Sequence, residues 1–154
     1  MRGQVALPLA VGWVLAPGLR GLAGPEDPMK RELAKVQGTW QLVSAETDGK
    51  EAPAEQVRKV RVVIKGDRHT VFFGDQAVAK EVLFKLDPAK TPRAVDDLLP
   101  GGKRILGIYE VDGDTLRSCV APAGKDRPTR FSAESGSGHT LRVFRRVPDR
   151  PAPK

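Results

Sequence analysis

The chain has 154 residues, 26 of them basic and 19 acidic, for a net charge of +7, and a single cysteine, Cys119. A chain of this length predicts one domain, and a lone cysteine excludes an internal disulfide, so the fold must be held by its core. The positive charge favours anionic partners, yet it is scattered among acids rather than gathered in a block. It therefore reads as solvated surface, and the export expected for this chain argues against a nucleic-acid partner.

Residues 1–23 carry the pattern of a secretory signal peptide. Met1-Arg2 supplies a positive start, 5–17 is almost wholly apolar, and Gly21 and Ala23 place small residues where a signal peptidase reads. The apolar stretch falls short of the roughly 20 residues that span a bilayer, and Pro8, Gly12 and Pro17 interrupt it. Cleavage after Ala23 is expected, giving a periplasmic or extracellular product that does not span the membrane. No cysteine lies near the junction to take a lipid anchor. Without Arg2 and Arg20 the chain keeps 24 basic and 19 acidic residues, or +5. The expected organisation is a signal peptide at 1–23, a linker at 24–28, a β-barrel domain at 29–147 and a disordered tail at 148–154.

Asp27-Pro28 is a helix start, with aspartate as the cap and proline where its missing N–H costs nothing. Met29, Leu33 and Val36 then share one helical face, and Gly38 stops the helix. From Thr39 the period changes to two. Trp40 and Leu42 share a face in the strand 39–46, Asp48-Gly49 turns the chain, and 53–59 allows a single helical turn. Val60, Val62 and Ile64 alternate with Arg61 and Lys65. After Gly66-Asp67 the strand 69–73 follows, and Gly74-Asp75 closes its hairpin. Val82, Phe84 and Leu86 alternate with Glu81 and Lys85, the cleanest half-buried pattern in the chain. A polar loop at 87–92 leads to a weak strand at 94–98 and a turn at 100–102. The strands 104–111 and 115–121 flank Asp112-Gly113-Asp114. A loop at 122–128 precedes a last expected hairpin, 129–133 with 140–146, around Ser135-Gly136-Ser137-Gly138. Eight or nine short strands joined by tight turns predict a mainly β protein, an antiparallel up-and-down barrel of about eight strands with one short N-terminal helix. Closure removes the exposed edges of such a meander.

Several segments together resemble a small uncharacterised domain family known chiefly from planctomycete bacteria. They are Gly38-Thr39-Trp40, Ser44-Ala45-Glu46, Asp48-Gly49-Lys50, Lys85-Leu86-Asp87-Pro88, Leu106-Gly107-Ile108-Tyr109-Glu110 and Asp112-Gly113-Asp114-Thr115-Leu116. Cys119, Arg127-Pro128-Thr129 with Phe131, and Gly136-Ser137-Gly138 complete the set. The resemblance covers about 33–146 and implies no activity, because that family has none established. More loosely, Gly38-x-Trp40 on the first strand with an arginine on the last resembles the lipocalin arrangement. It implies a lipocalin-like barrel in which the arginine packs across the indole. The candidates are Arg142, Arg145 and Arg146, and the latch is assigned to Gly38, Trp40 and Arg145. Short loops and the missing disulfides depart from that pattern.

Chemical motifs are sparse. His69 and His139 lie far apart without neighbouring ligands, so no metal is assigned. Cys119 alternates with Ser118 and Val120 and reads as a small buried hydrophobe. Gly136-Ser137-Gly138 lacks the strand–turn–helix setting of a nucleophile, and the Asp112/Asp114 pair is explained by turn chemistry. Arg127, Thr129 and Arg130 suggest an anion contact at the barrel rim, or a loop tied down by arginine. No catalytic residue and no cofactor is assigned; an enzyme would have to rest on dispersed residues such as Tyr109, Glu110 and Arg127. The reading that remains is an exported, monomeric, non-catalytic binding module for a small apolar ligand or an anionic cell-envelope surface. Trp40, Val62, Ile64, Phe72, Val82, Phe84 and Tyr109 are its inward set, lining a pocket or forming a packed core. The alternative is a structural or protein-interaction domain with a solid core.

Overall fold

The computed structural model describes residues 24–149. The expected signal segment, 1–23, lies outside the described residues, as do 150–154 of the expected tail.

Helix α1 (Pro28–Val36) starts as the sequence predicts, with Asp27 accepting the Met29 N–H at 3.0 Å and Pro28 in the first turn. Of the expected face, Val36 is buried and Leu33 packs against the core, but Met29 is 39% exposed and Glu32 turns inward beside them. The helix ends at an extended Gln37, and Gly38, at φ +111°, swings the chain into the barrel wall.

The strands are β1 (Gly38–Thr47), β2 (Lys50–Glu51), β3 (Val60–Lys65), β4 (Arg68–Phe73), β5 (Gln76–Asp87), β6 (Ala94–Leu98), β7 (Arg104–Asp112), β8 (Thr115–Val120) and β9 (Thr140–Val147), with a one-turn helix α2 (Ala54–Val57) after β2. Each neighbouring pair from β3 to β9 is antiparallel, and β1 pairs with β3 on one side and β9 on the other. The result is a closed eight-stranded barrel, with β2 a two-residue addition to the end of β1. Closure leaves no edge strand in the main wall. No helix among the described residues is long and apolar enough to cross a membrane.

Register shifts in β1 and β5 set which side chains point in. In β1 the register shifts between Leu42 and Ser44, leaving Val43 47% exposed. Before the bulge Trp40 and Leu42 face inward; after it Ala45 does, opposite Arg142. In β5 the chain kinks at Glu81, at φ +46°, whose N–H goes to Thr70 Oγ1 (3.1 Å) and whose carbonyl accepts from Arg68 Nη1 (3.0 Å). Such bulges bend a strand and sharpen its twist, which lets the long β5 serve both β4 and β6.

The interior is built from Val36, Trp40, Leu42, Val57, Ile64, Phe84, Leu86, Tyr109, Leu116 and Phe144. Each large apolar side chain buried this way contributes about 1.5–3 kcal/mol. A second, smaller apolar layer lies outside the wall. The segment 129–133 is not a strand; residues 121–139 form one long loop instead. Beneath it Ile108 and Cys119 are 1% and 0% exposed, together with Ala121 and Ala133. Gly107, by contrast, faces the interior between Val95 and Val120, where a Cβ would stand 2.7 Å from Val120 Cγ1 and 2.9 Å from the Cys119 carbonyl. Only glycine fits there.

Candidate functional site

The barrel end beneath α1 is closed by Trp40 and Arg146. Trp40 is fully buried and its indole N–H donates to the Val36 carbonyl at 2.8 Å. Register places Arg146 directly opposite Trp40, so both point to the same side of the sheet, and the guanidinium lies 4.1 Å from the indole ring. Its Nη2 donates to the Lys35 carbonyl at 2.8 Å, Nη1 to the Gln37 carbonyl, and Nε to Asp114 at 3.1 Å. The latch is therefore Gly38, Trp40 and Arg146. Arg145, assigned from sequence, stands opposite Gln41 on the outer face and is exposed. Gly38 belongs to the latch by space as well as by backbone angle, since a Cβ there would come within 3.3 Å of Arg146 Nη1.

Beside the latch is a polar hub that the sequence did not reveal. Glu32 is 4% exposed and accepts from Tyr109 OH (3.0 Å), Arg93 Nη1 (3.1 Å) and Lys35 Nζ (2.9 Å). Burial disfavours its charge, but the hydrogen bonds from Lys35 and Tyr109 and the charge of Arg93 outweigh it and hold the carboxyl below the usual carboxylate range. Burial, followed by the neighbouring Glu32 charge, pushes the Tyr109 phenol far up, so it stays protonated and donates. Tyr109 thus fixes the helix to the barrel. Glu110 points away and pairs with Arg117 at 2.8 Å.

Within the wall is a cavity of about 120 Å³. Its lining is mostly apolar: Val62, Ile64, Val71, Phe84, Leu86, Val95, Leu116, Val120 and Phe144 take part, with Val36 and Tyr109 at the helix end. Four polar side chains interrupt it, namely His69, Asp97, Ser118 and Arg142. His69 Nε2 and Asp97 Oδ1 are 3.1 Å apart, and His69 Nδ1 is buried with no protein partner. A second recess of about 350 Å³ shares Val62, Val71, Arg142 and Phe144 with the cavity. It is edged by Leu42, Ala45, Ala52, Val57, Phe73 and Thr140. Outside the barrel, a depression of about 570 Å³ beside the 88–93 loop is lined by Lys90, Arg93, Glu110 and Asp112, charges of both signs with no single chemistry.

Of the inward set expected from sequence, Val62, Ile64, Phe84 and Tyr109 line the cavity, and Trp40 closes the end below it. Val82 stands opposite His69 but is not part of the lining. Phe72 is a correction. Pairing with β3 puts it opposite Arg61, whose guanidinium lies 4.6 Å from its ring, while Val71 and Phe73 take the inner face.

The rim set is corrected as well. Arg127 Nη1 donates to the carbonyls of Gly107 (2.7 Å) and Val95 (3.1 Å), and its Nη2 pairs with Asp96 at 2.6 Å. Its donors are used in pinning the long loop to the wall. Arg130 pairs with Glu134 at 2.8 Å, and Thr129 is exposed. The three do not converge on one point.

Compared with protein-family models, curated proteins and solved structures, the chain matches none. The function must be argued from the site itself.

Proposed function

We propose that this protein is an exported, non-catalytic binding module that takes a small apolar ligand into the barrel, in keeping with its lipocalin-like sequence features. The observation that carries this reading is the apolar cavity of about 120 Å³ adjoining a wider recess. Apolar cavities of about 150 Å³ hold ligands the size of benzene, and pockets of this kind pair apolar walls with a few placed polar groups. The latch and the Glu32 hub close one end, so entry is from the recess beside α2.

A titration with toluene, a neutral apolar molecule of the right size, followed by two-dimensional NMR, tests the reading. Saturable shifts of the cavity-lining residues are expected, and Val71→Phe, which puts added bulk into the space, should weaken binding several-fold. An absence of saturable binding would remove the ligand reading in favour of an interaction domain, a second reading that the modest size of the cavity supports. Export is tested separately by sequencing the N-terminus of secreted protein, which should begin at Gly24.

A further inference from the structure

We propose that the ligand carries an anionic head, a carboxylate or an equivalent oxyanion, and that Arg142 is the residue that binds it. The inference rests on the binding reading above and names the chemistry of its ligand.

Arg142 lines both the cavity and the adjoining recess, so its side chain stands where the two meet. Its cross-strand neighbours are Ala45 on β1 and Ser118 on β8, both small, which leaves open space around it. Among the described residues it has no ion pair within 4.0 Å and no protein hydrogen bond. Four of the other five partly buried arginines, Arg93, Arg117, Arg127 and Arg146, have ion pairs, and the fifth, Arg61, has a stack on Phe72 but no ion pair. The nearest interior carboxylate, Asp97, is held by His69 Nε2. Arg142 is half-buried, and this burial pulls its guanidinium below the ordinary value, with Asp97 partly opposing the shift.

A half-buried charge without a protein partner gains little from the fold itself, and in a cleft it is a candidate for holding a ligand of opposite charge. Guanidinium presents a planar fork of donors that matches a carboxylate in two parallel hydrogen bonds. Around it, Val71, Phe84 and Phe144 offer only apolar surface. The site therefore fits an amphiphile with an acid head at Arg142 and a tail of about six to eight carbons, given the space available. A neutral apolar molecule would leave the charge without a partner.

The test compares octanoate with 1-octanol, below their aggregation limits, by calorimetry and by two-dimensional NMR of the full-length protein. Wild type should bind octanoate about tenfold or more tightly than octanol. Arg142→Met should abolish that preference while still taking octanol. Octanol binding as tightly as octanoate to wild type, a comparison that needs no variant, would overturn the anionic head and leave the binding reading intact. Unchanged octanoate affinity in a folded Arg142→Met would overturn it too. If neither compound binds, both readings fall together.

Discussion

Replacing Arg146 by alanine removes four interactions at once, and their sizes can be set from the structure. The stack on Trp40, at 4.1 Å, is worth about 0.5–2 kcal/mol. The hydrogen bonds to the Lys35 and Gln37 carbonyls neutralise the negative end of α1. Charged hydrogen bonds of this type contribute about 1.5–3 kcal/mol each when desolvated. Water reaches the helix end once the side chain is gone, so the lower end of that range applies to the pair together. Asp114 is 77% exposed, and its ion pair adds less than about 1 kcal/mol. The expected loss is roughly 3 kcal/mol, a large share of the 5–15 kcal/mol that holds a typical domain together. Urea unfolding followed by circular dichroism reads it directly. With a slope of about 2 kcal/mol/M, the midpoint should fall by about 1.5 M. Arg146→Lys keeps the charge but loses the planar fork, and should fall between the two. Arg145→Ala, on the exposed outer face, should stay within about 0.5 kcal/mol of wild type. If Arg146→Ala unfolds where wild type does, or Arg145→Ala costs as much, the latch is not what closes this end.

Glu32→Gln should cost about 1–3 kcal/mol at neutral pH, because it leaves Arg93 and Lys35 without their carboxylate. The Glu32 carboxyl is held below its ordinary value of 4.5, so its charge contributes stability that is complete above that value and is lost as pH falls through the lower folded one. Wild type should therefore lose stability below about pH 4.5 more steeply than Glu32→Gln in acid titrations of unfolding; parallel curves would exclude this role. Gly107→Ala should destabilise by about 1–3 kcal/mol through collision with Val120 and the Cys119 carbonyl, seen as a lowered Tm, whereas an unchanged Tm would mean that β8 yields freely. Arg127→Ala should release the 121–139 loop, and Cys119, whose thiol burial pushes up, should then react with an aromatic disulfide reagent about tenfold faster than in wild type; equal rates would show that Arg127 does not pin the loop.

Local chemistry foretold the elements better than their facing. The Asp27-Pro28 start and the period-two strands follow from neighbouring residues, and so does the strand count that closes the barrel. Which of two adjacent side chains points inward depends on pairing with a distant strand. Phe72 and Phe73 are both aromatic, so either phase of β4 buries a ring, and only its register with β3 decides. Arg145 and Arg146 pose the same problem on β9, resolved by the register with β1. The buried Glu32 was illegible because its partners, Tyr109 and Arg93, lie more than sixty residues away. From sequence Arg142 is legible only as a latch candidate, because its inward facing arises from strand closure and from the β1 bulge that sets Ala45 opposite it. The segment 129–133 has local strand character, but burial of Ala133 and the Cys119–Ser132 contact hold it as loop. The arginine at 127 was legible as a charge and illegible as an anchor, since its acceptors sit on β6 and β7.

The seam of this barrel joins its first wall strand to its last, with Trp40 and Arg146 as partners across it and roughly a hundred residues of chain between them, a separation that makes ring closure slow. A nascent polypeptide emerges Trp40 first, so β1 must wait, half-dressed, for nearly the whole protein to be made before its second neighbour arrives. Any product stopped short of Thr140 would keep two unzipped margins and an indole without its lid, and would stick to its own kind rather than settle into a smaller cylinder.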